Sequence, residues 1–179
     1  MISIVSSKYC LEDVYAFNNQ YNILIHAYKV TEREIWGENY VRIEVEEYKE
    51  LIEKKIVFTA KLDNEAVGTI LLLNNGNKTF SFGLLAVDFA KKGMGIGRKL
   101  IEAAENEAIR QGANRMVLEI LKPENQYVAV KQQLAEWYER LGYNHFKTAS
   151  FIDLKPDKIK KAKLLITPSV FDCYEKKLN

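Results

Sequence analysis

The stretch from residue 80 to residue 112 constrains the fold more than any other part of the chain. It contains an apolar run at 84–87, a basic glycine-rich turn at 91–97, and an amphipathic segment that ends at Gly112. The first N–H groups of a helix lack intrahelical partners, and the helix dipole favours negative charge at that end. A strand that leads through a glycine turn into a helix therefore predicts a phosphate-binding site.

The glycine spacing separates this turn from two widespread phosphate loops. A Walker loop ends in Gly-Lys-Ser/Thr, and a dinucleotide fingerprint has the spacing G-x-G-x-x-G. Here the glycines fall at positions 93, 95 and 97, so neither pattern fits. Glycines still let the backbone approach phosphate oxygens without a Cβ in the way, and Lys92 and Arg98 add positive charge.

The turn resembles the acyl-coenzyme A loop of the GNAT superfamily of N-acetyltransferases, Gln/Arg-x-x-Gly-x-Gly/Ala. Lys92 occupies the Gln/Arg place, and Gly95 and Gly97 match the two small residues. Val87 and Asp88 match the Val-Asp pair that often ends the preceding strand in that family. The resemblance covers residues 80–151 strongly and the flanks weakly.

The resemblance implies acetyl-CoA as cosubstrate and an extended binding site for it. The pantetheine arm would follow the strand, and the pyrophosphate would lie on the turn and the start of the helix. The implied strand contacts are Leu85, Ala86 and Val87, and those of the turn are Lys92, Gly93, Met94, Gly95, Ile96, Gly97 and Arg98. A backbone N–H near Val87 would polarise the thioester carbonyl, as in an oxyanion hole.

A second landmark lies at residues 134–143, LAEWYERLGY. It resembles the family segment that ends in Tyr-Glu-Lys-Leu-Gly-Phe, in which the tyrosine is the general acid for the departing thiolate. Tyr138 takes that place. Its spacing from Leu134 and Leu141 alone would favour a core residue, whereas the glycine turn at the family's usual distance favours the catalytic role. The family's Asn seven residues before the tyrosine is Lys131 here.

The general base is less clearly indicated. Glu119 is the one charged residue after Met116 in the apolar run at 115–121, and a carboxylate in a buried strand needs a reason. The resemblance implies a base there. The alternatives are a solvated edge or pairing with a neighbouring cation. The strand at 80–87 carries no carboxylate.

The periodicity predicts an α/β fold, a mixed sheet of about seven strands with flanking helices, and the resemblance implies a GNAT-like single domain over residues 1–179. Helices are predicted at 11–28, at 44–55, from the glycine turn to Gly112, and at 130–141. Strands are predicted at 2–5, 56–62, 66–73, 80–87, 115–121, 143–151 and 170–174. The crossover from the fourth strand to the fifth predicts a parallel pair.

Composition excludes several classes of protein. The net charge of +2 does not favour a nucleic-acid binder, although the lysine run at 155–163 leaves that rival open beside a solvated face or attraction of an acidic substrate. Two distant cysteines, with no histidine cluster, predict no metal site and suit a reducing compartment. Neither a signal pattern nor a membrane-length apolar run is present, so we expect a cytoplasmic protein without membrane partners.

The resemblance implies transfer of the acetyl group of acetyl-CoA directly to a primary amine. The acceptor, a small molecule or a peptide, is left open, as is the oligomeric state, a homodimer included. Trp36 and Tyr40 in a predicted loop are candidates to line the acceptor pocket. The alternative is a non-catalytic acyl-CoA sensor that has kept the turn and lost the acceptor site.

Overall fold

A seven-stranded mixed sheet forms the centre of the computed structural model, which describes residues 1–179. The strand order is β1-β2-β3-β4-β5-β7-β6. The strands are β1 Ile2–Ser6, β2 Ile56–Leu62, β3 Glu65–Asn74, β4 Thr79–Val87, β5 Arg115–Pro123, β6 Asn144–Ser150 and β7 Ser169–Lys177. The helices are α1 Val14–Thr31, α2 Arg33–Trp36, α3 Val45–Lys54, α4 Ile96–Arg110, α5 Ala129–Arg140, α6 Phe151–Leu154 and α7 Ile159–Ala162. The predicted α/β fold with seven strands is confirmed.

The sheet opens between its two central strands. β4 and β5 pair in parallel, as predicted, only at the three positions from Thr79 and Arg115 to Ser81 and Val117. Beyond Ser81, the edge of β4 that faces β5 has no ladder partner, while its other edge stays paired with β3 as far as Val87. The strand therefore presents unpaired backbone N–H and C=O groups to a gap in the sheet, which we call the seam.

A β-bulge in β4 lies beside the seam. The β3–β4 register shifts between Thr69 and Leu71, and Leu84 on β4 has a positive φ of 48°. An inserted residue moves every later side chain to the opposite face of a sheet. Phe82 accordingly packs with α4 and α5, whereas the next even-numbered side chain, Leu84, packs with α1 and α3.

The helices cover two separate faces of the sheet. α4 and α5 pack on one face over the largest apolar cluster, and α1 and α3 pack on the other. A third cluster joins Trp36 of α2 and Phe151 of α6 to Leu121 of β5 and to Phe171 and Cys173 of β7. A ligand that passes through the seam would therefore meet α4 and α5 on one side and α1, α2 and α6 on the other.

The first half of the chain differs from the sequence prediction in two places. The first long helix begins at Val14 rather than at residue 11, because the Asp13 side chain accepts the N–H of Ala16 at 3.0 Å and caps the helix there. Trp36, predicted in a loop, closes α2 and is buried. None of the helices combines the length and the hydropathy that a bilayer crossing requires.

Candidate active site

A cavity of about 890 Å³ follows the seam through the sheet. Its lining includes Tyr138 and Gly97 from one face and Tyr28 and Trp36 from the other. The seam connects these groups because β4 and β5 diverge where both strands reach the cavity. A single elongated ligand can therefore lie across the sheet.

The glycine turn leaves the start of α4 free to bind an anion. Gly95 is the N-cap residue, with φ of +76°, and no side chain caps the helix. The first N–H groups of α4 are thus without a side-chain partner at the wall of the cavity. A Cβ built on Gly93 or Gly95 would meet no atom within 4 Å, so the space in front of both residues is open.

Gly97 is a glycine for a different reason from the one the sequence suggests. A Cβ at this position would lie 3.1 Å from Cη2 of Trp137. The absence of a side chain therefore lets α4 and α5 pack closely, which brings Tyr138 and the start of α4 to the same cavity.

The predicted coenzyme residues lie together with one exception. The cavity is lined by nine of the ten: Leu85, Ala86, Val87, Lys92, Gly93, Gly95, Ile96, Gly97 and Arg98. Met94 is 48% exposed and does not line it. Lys92 is exposed, and Arg98 makes an exposed ion pair with Glu102 at 2.8 Å.

Tyr138 is a buried phenol that faces the cavity. The side chain packs between Trp137 and Phe82, with ring centroids at 5.1 and 5.8 Å, and its hydroxyl makes no hydrogen bond within the chain. Burial, reinforced by the nearby Tyr28 hydroxyl, raises the pKa of Tyr138 far above its usual value. The phenol therefore keeps its proton at any working pH and can act as a donor but not as a base.

Glu119 is less buried than the sequence suggests and already has a cation. It is exposed on β5, and the Nζ of Lys155 lies 3.0 Å from its Oε1 and 2.7 Å from its Oε2. This arrangement matches one of the alternatives that the sequence left open for Glu119, namely pairing with a neighbouring cation. Glu119 still lines the cavity, so it remains within reach of a bound ligand.

Lys131 forms a buried ion pair. Its Nζ lies 3.1 Å from Oε1 of Glu32, and both side chains are less than a tenth exposed. The indole N–H of Trp36 donates to the other carboxylate oxygen at 2.9 Å. The residue that replaces the family's Asn thus joins α5 to the α1–α2 side of the seam.

The lysine run at 155–163, for which the sequence leaves a solvated face, an acidic substrate and nucleic acid open, contributes a group of cations to that side of the cavity. Lys155, Lys158 and Lys161 of the lysine run all line the cavity, although the run also matched a solvated surface. Their spacing of three residues is the signal that could have found them, since residues three apart on helical turns share a face. Arg42 joins them from the segment before α3.

The strand order, the seam and the uncapped helix end define an α/β protein that can hold an extended anionic ligand through its sheet. The chain belongs to the Acetyltransferase (GNAT) family, whose model matches residues 21–143. The predicted family and enzyme class, an acetyltransferase, are confirmed by this match. No curated protein matches the sequence.

Solved structures share the fold at low sequence identity. An N-acetyltransferase from Staphylococcus aureus Mu50 is 14% identical with a TM-score of 0.67, over 100% of this chain and 99% of that one. An aminoglycoside 6'-N-acetyltransferase complexed with coenzyme A is 18% identical with a TM-score of 0.67, over 100% and 97%. The ribosomal-protein-S18-alanine N-acetyltransferase from Escherichia coli is 15% identical with a TM-score of 0.60, over 100% and 95%. At these identities the likeness concerns the fold alone.

Proposed function

We propose that residues 1–179 form one domain that transfers the acetyl group of acetyl-CoA directly to a primary amine. The observation that carries this proposal is the seam, where the unpaired edge of β4 leads to the uncapped start of α4. An extended pantetheine arm can complete the backbone hydrogen bonds along Leu85–Val87, and the pyrophosphate can accept from the N–H groups at Gly97 and Arg98. The neighbour that was solved with coenzyme A supports this cosubstrate.

In the proposed reaction, the amine nitrogen attacks the thioester carbonyl carbon and the carbon–sulfur bond breaks. A backbone N–H near Val87 stabilises the oxyanion, a contribution of about 3 kcal/mol where such donors have been removed. The proton of Tyr138 passes to the departing thiolate. Burial disfavours the thiolate as it disfavours the phenolate, so the proton affinities of the two groups rise together.

Glu119 is the proposed base for the amine proton, and its ion pair makes this role testable. As a general base it would contribute about 10²- to 10⁴-fold to the rate. Glu119→Gln should then lower kcat by about that factor, with little change in the KM for acetyl-CoA. The alternative is that Glu119 only holds Lys155 in place. In that case Glu119→Gln should lower kcat by less than about tenfold, and the double variant Lys155→Met/Glu119→Gln should have the same kcat as Glu119→Gln.

Release of free thiol separates this function from a non-catalytic sensor. Purified protein is mixed with acetyl-CoA and a panel of amines, and the free thiol and the N-acetylated product are both quantified. We expect thiol and product in equal amounts with at least one class of amine. Binding of acetyl-CoA without thiol release above the amine-free background would favour the sensor.

A further inference from the structure

The half of the cavity beyond the seam is positively charged. It lies on the face opposite α4, where the proposed function puts the acceptor. Five cations and three carboxylates line it, a net charge of +2, with Lys131 reaching across the seam from α5 to Glu32: Arg42, Lys131, Lys155, Lys158 and Lys161 against Glu32, Glu47 and Glu119. A site for a simple cationic amine would be expected to carry the opposite charge.

Two of these cations are neutralised and others are not. Lys131 is paired with Glu32, and Lys155 is paired with Glu119. Arg42 and Lys161 form no salt bridge, although both line the cavity. Lys158 has no salt bridge either, but it is exposed to solvent, so the charge available to a ligand inside the cavity comes mainly from the guanidinium of Arg42 and the ammonium of Lys161.

Aromatic rings hold both cations in place. The guanidinium carbon of Arg42 lies 5.1 Å from the centre of the Tyr28 ring. Lys161 Nζ lies 5.8 Å from the Trp36 ring and 5.6 Å from the Tyr40 ring, and these two rings stack at 4.4 Å. Rings that hold a cation without neutralising it leave its charge available to an anion.

The two cations are close enough to repel each other. Burial, followed by the charges of Arg42 and Lys158, lowers the pKa of Lys161 to about 8, against the opposing effect of Glu47 and Glu32. Like charges in a partly buried cavity are unfavourable until an anion lies between them. The buried Tyr40 hydroxyl, which has no hydrogen-bond partner, is a further unused polar group in this cluster.

We propose that the acceptor amine also carries a carboxylate, which Arg42 and Lys161 bind on the face of the sheet opposite α4. This inference rests on the proposed function, because it assumes that the acceptor enters from that face. The carboxylate would lie near the stacked rings of Trp36 and Tyr40, and the amine would point through the seam towards the thioester. The nearby positive charge would also lower the pKa of the acceptor amine and so favour its neutral, nucleophilic form.

Matched pairs of amines test the carboxylate directly. Each standard amino acid is compared with its decarboxylated amine, such as phenylalanine with 2-phenylethylamine, in the thiol-release assay at saturating acetyl-CoA. A charge-assisted contact predicts at least about a tenfold preference in kcat/KM for the carboxylate member of the preferred pair. Higher kcat/KM for the decarboxylated member of every active pair, or for polyamines, would overturn the inference.

Variants identify the binding residues. Lys161→Gln and Arg42→Gln should each raise KM for the carboxylate amine about tenfold, with KM for acetyl-CoA unchanged, and Lys161→Arg should restore most of the affinity. Lys160→Gln is the matched control, because Lys160 is exposed on the same short helix and does not line the cavity. An equal effect of the Lys160 and Lys161 changes would contradict the assignment.

A binding measurement keeps the inference testable without turnover. N-acetyl-phenylalanine and N-acetyl-phenylalaninamide are titrated calorimetrically into the protein. We expect the acid to bind about tenfold more tightly than the amide and to lose that advantage in Lys161→Gln. Equal affinity of the two probes would overturn the inference, whereas acid-selective binding without thiol release from any amine would contradict only the proposed function.

Discussion

The buried pair of Lys131 and Glu32 permits a prediction with a magnitude. At 3.1 Å and an effective dielectric constant of about 20, the two charges attract by about 5 kcal/mol before the cost of taking them from water. Replacing Lys131 with Met leaves the carboxylate buried, with only the Trp36 indole as donor. Removing one member of a buried pair typically costs about 3–5 kcal/mol. We therefore expect Lys131→Met to lose about that much free energy of unfolding.

The assay is urea unfolding of a double-mutant cycle. Lys131→Met, Glu32→Gln and the double variant are followed by tryptophan fluorescence and far-ultraviolet circular dichroism, with the m-values compared to confirm a common unfolding transition. The double variant should recover much of the stability lost in Lys131→Met, because no unpaired charge remains buried. Lys54→Met removes an exposed pair with Glu50 on α3 and should leave the midpoint unchanged.

A loss below about 1 kcal/mol in Lys131→Met would refute this reasoning. It would mean that water reaches the carboxylate when the lysine is absent, so that the pair behaves as a surface contact. A double variant as unstable as the sum of the single variants would also contradict it, because the two charges would then be uncoupled.

Three further changes test the cofactor site and the core. Tyr138→Phe should lower kcat by about 10²-fold or more with little change in KM for acetyl-CoA, and an unchanged kcat across the pH range would exclude the general acid. Gly95→Asp should abolish acetyl-CoA binding in calorimetry. Gly76→Asp is the matched control: Gly76 has nearly the same positive φ in an open turn, so its replacement should have a similar backbone cost and leave acetyl-CoA binding normal. Gly68→Ala should lower the melting temperature markedly, because its Cβ would lie 2.8 Å from the carbonyl oxygen of Ala86; a melting temperature like that of the wild type would show that β3 and β4 can separate there.

Local signals predicted the part of the site that depends on one strand, one turn and one helix. The turn at 91–97 and the helix after it follow from glycine and periodicity alone, and the parallel crossover follows from chain direction. The bulge at Leu84 could not be predicted in this way. Every even-numbered residue from Phe80 to Ala86 is apolar, as in a strand without a bulge, and the change of face is visible only once β3 is paired beside it.

The acceptor side could not be predicted because it is assembled from distant segments. Arg42 and Lys161 are far apart in sequence, and each alone reads as an ordinary surface cation. The Asn-to-Lys difference at position 131 is the clearest local signal, because a lysine in a helix that faces the seam requires a carboxylate nearby. That carboxylate, Glu32, lies across the seam from α5, so the sequence alone does not identify it as the partner.

Where β4 and β5 separate, backbone ladder bonds no longer join the two halves of the sheet, so other contacts must hold the halves at a fixed distance. The pair of Lys131 and Glu32 is such a contact, since it connects the helix that carries Tyr138 to the segment that carries Trp36. Its loss should therefore affect geometry as well as stability. In Lys131→Met, at a temperature where the variant remains folded, we expect kcat to fall while the affinity for acetyl-CoA stays close to that of the wild type, because the start of α4 does not depend on the pair. A parallel loss of acetyl-CoA affinity would mean that the two halves of the cavity are not mechanically separate.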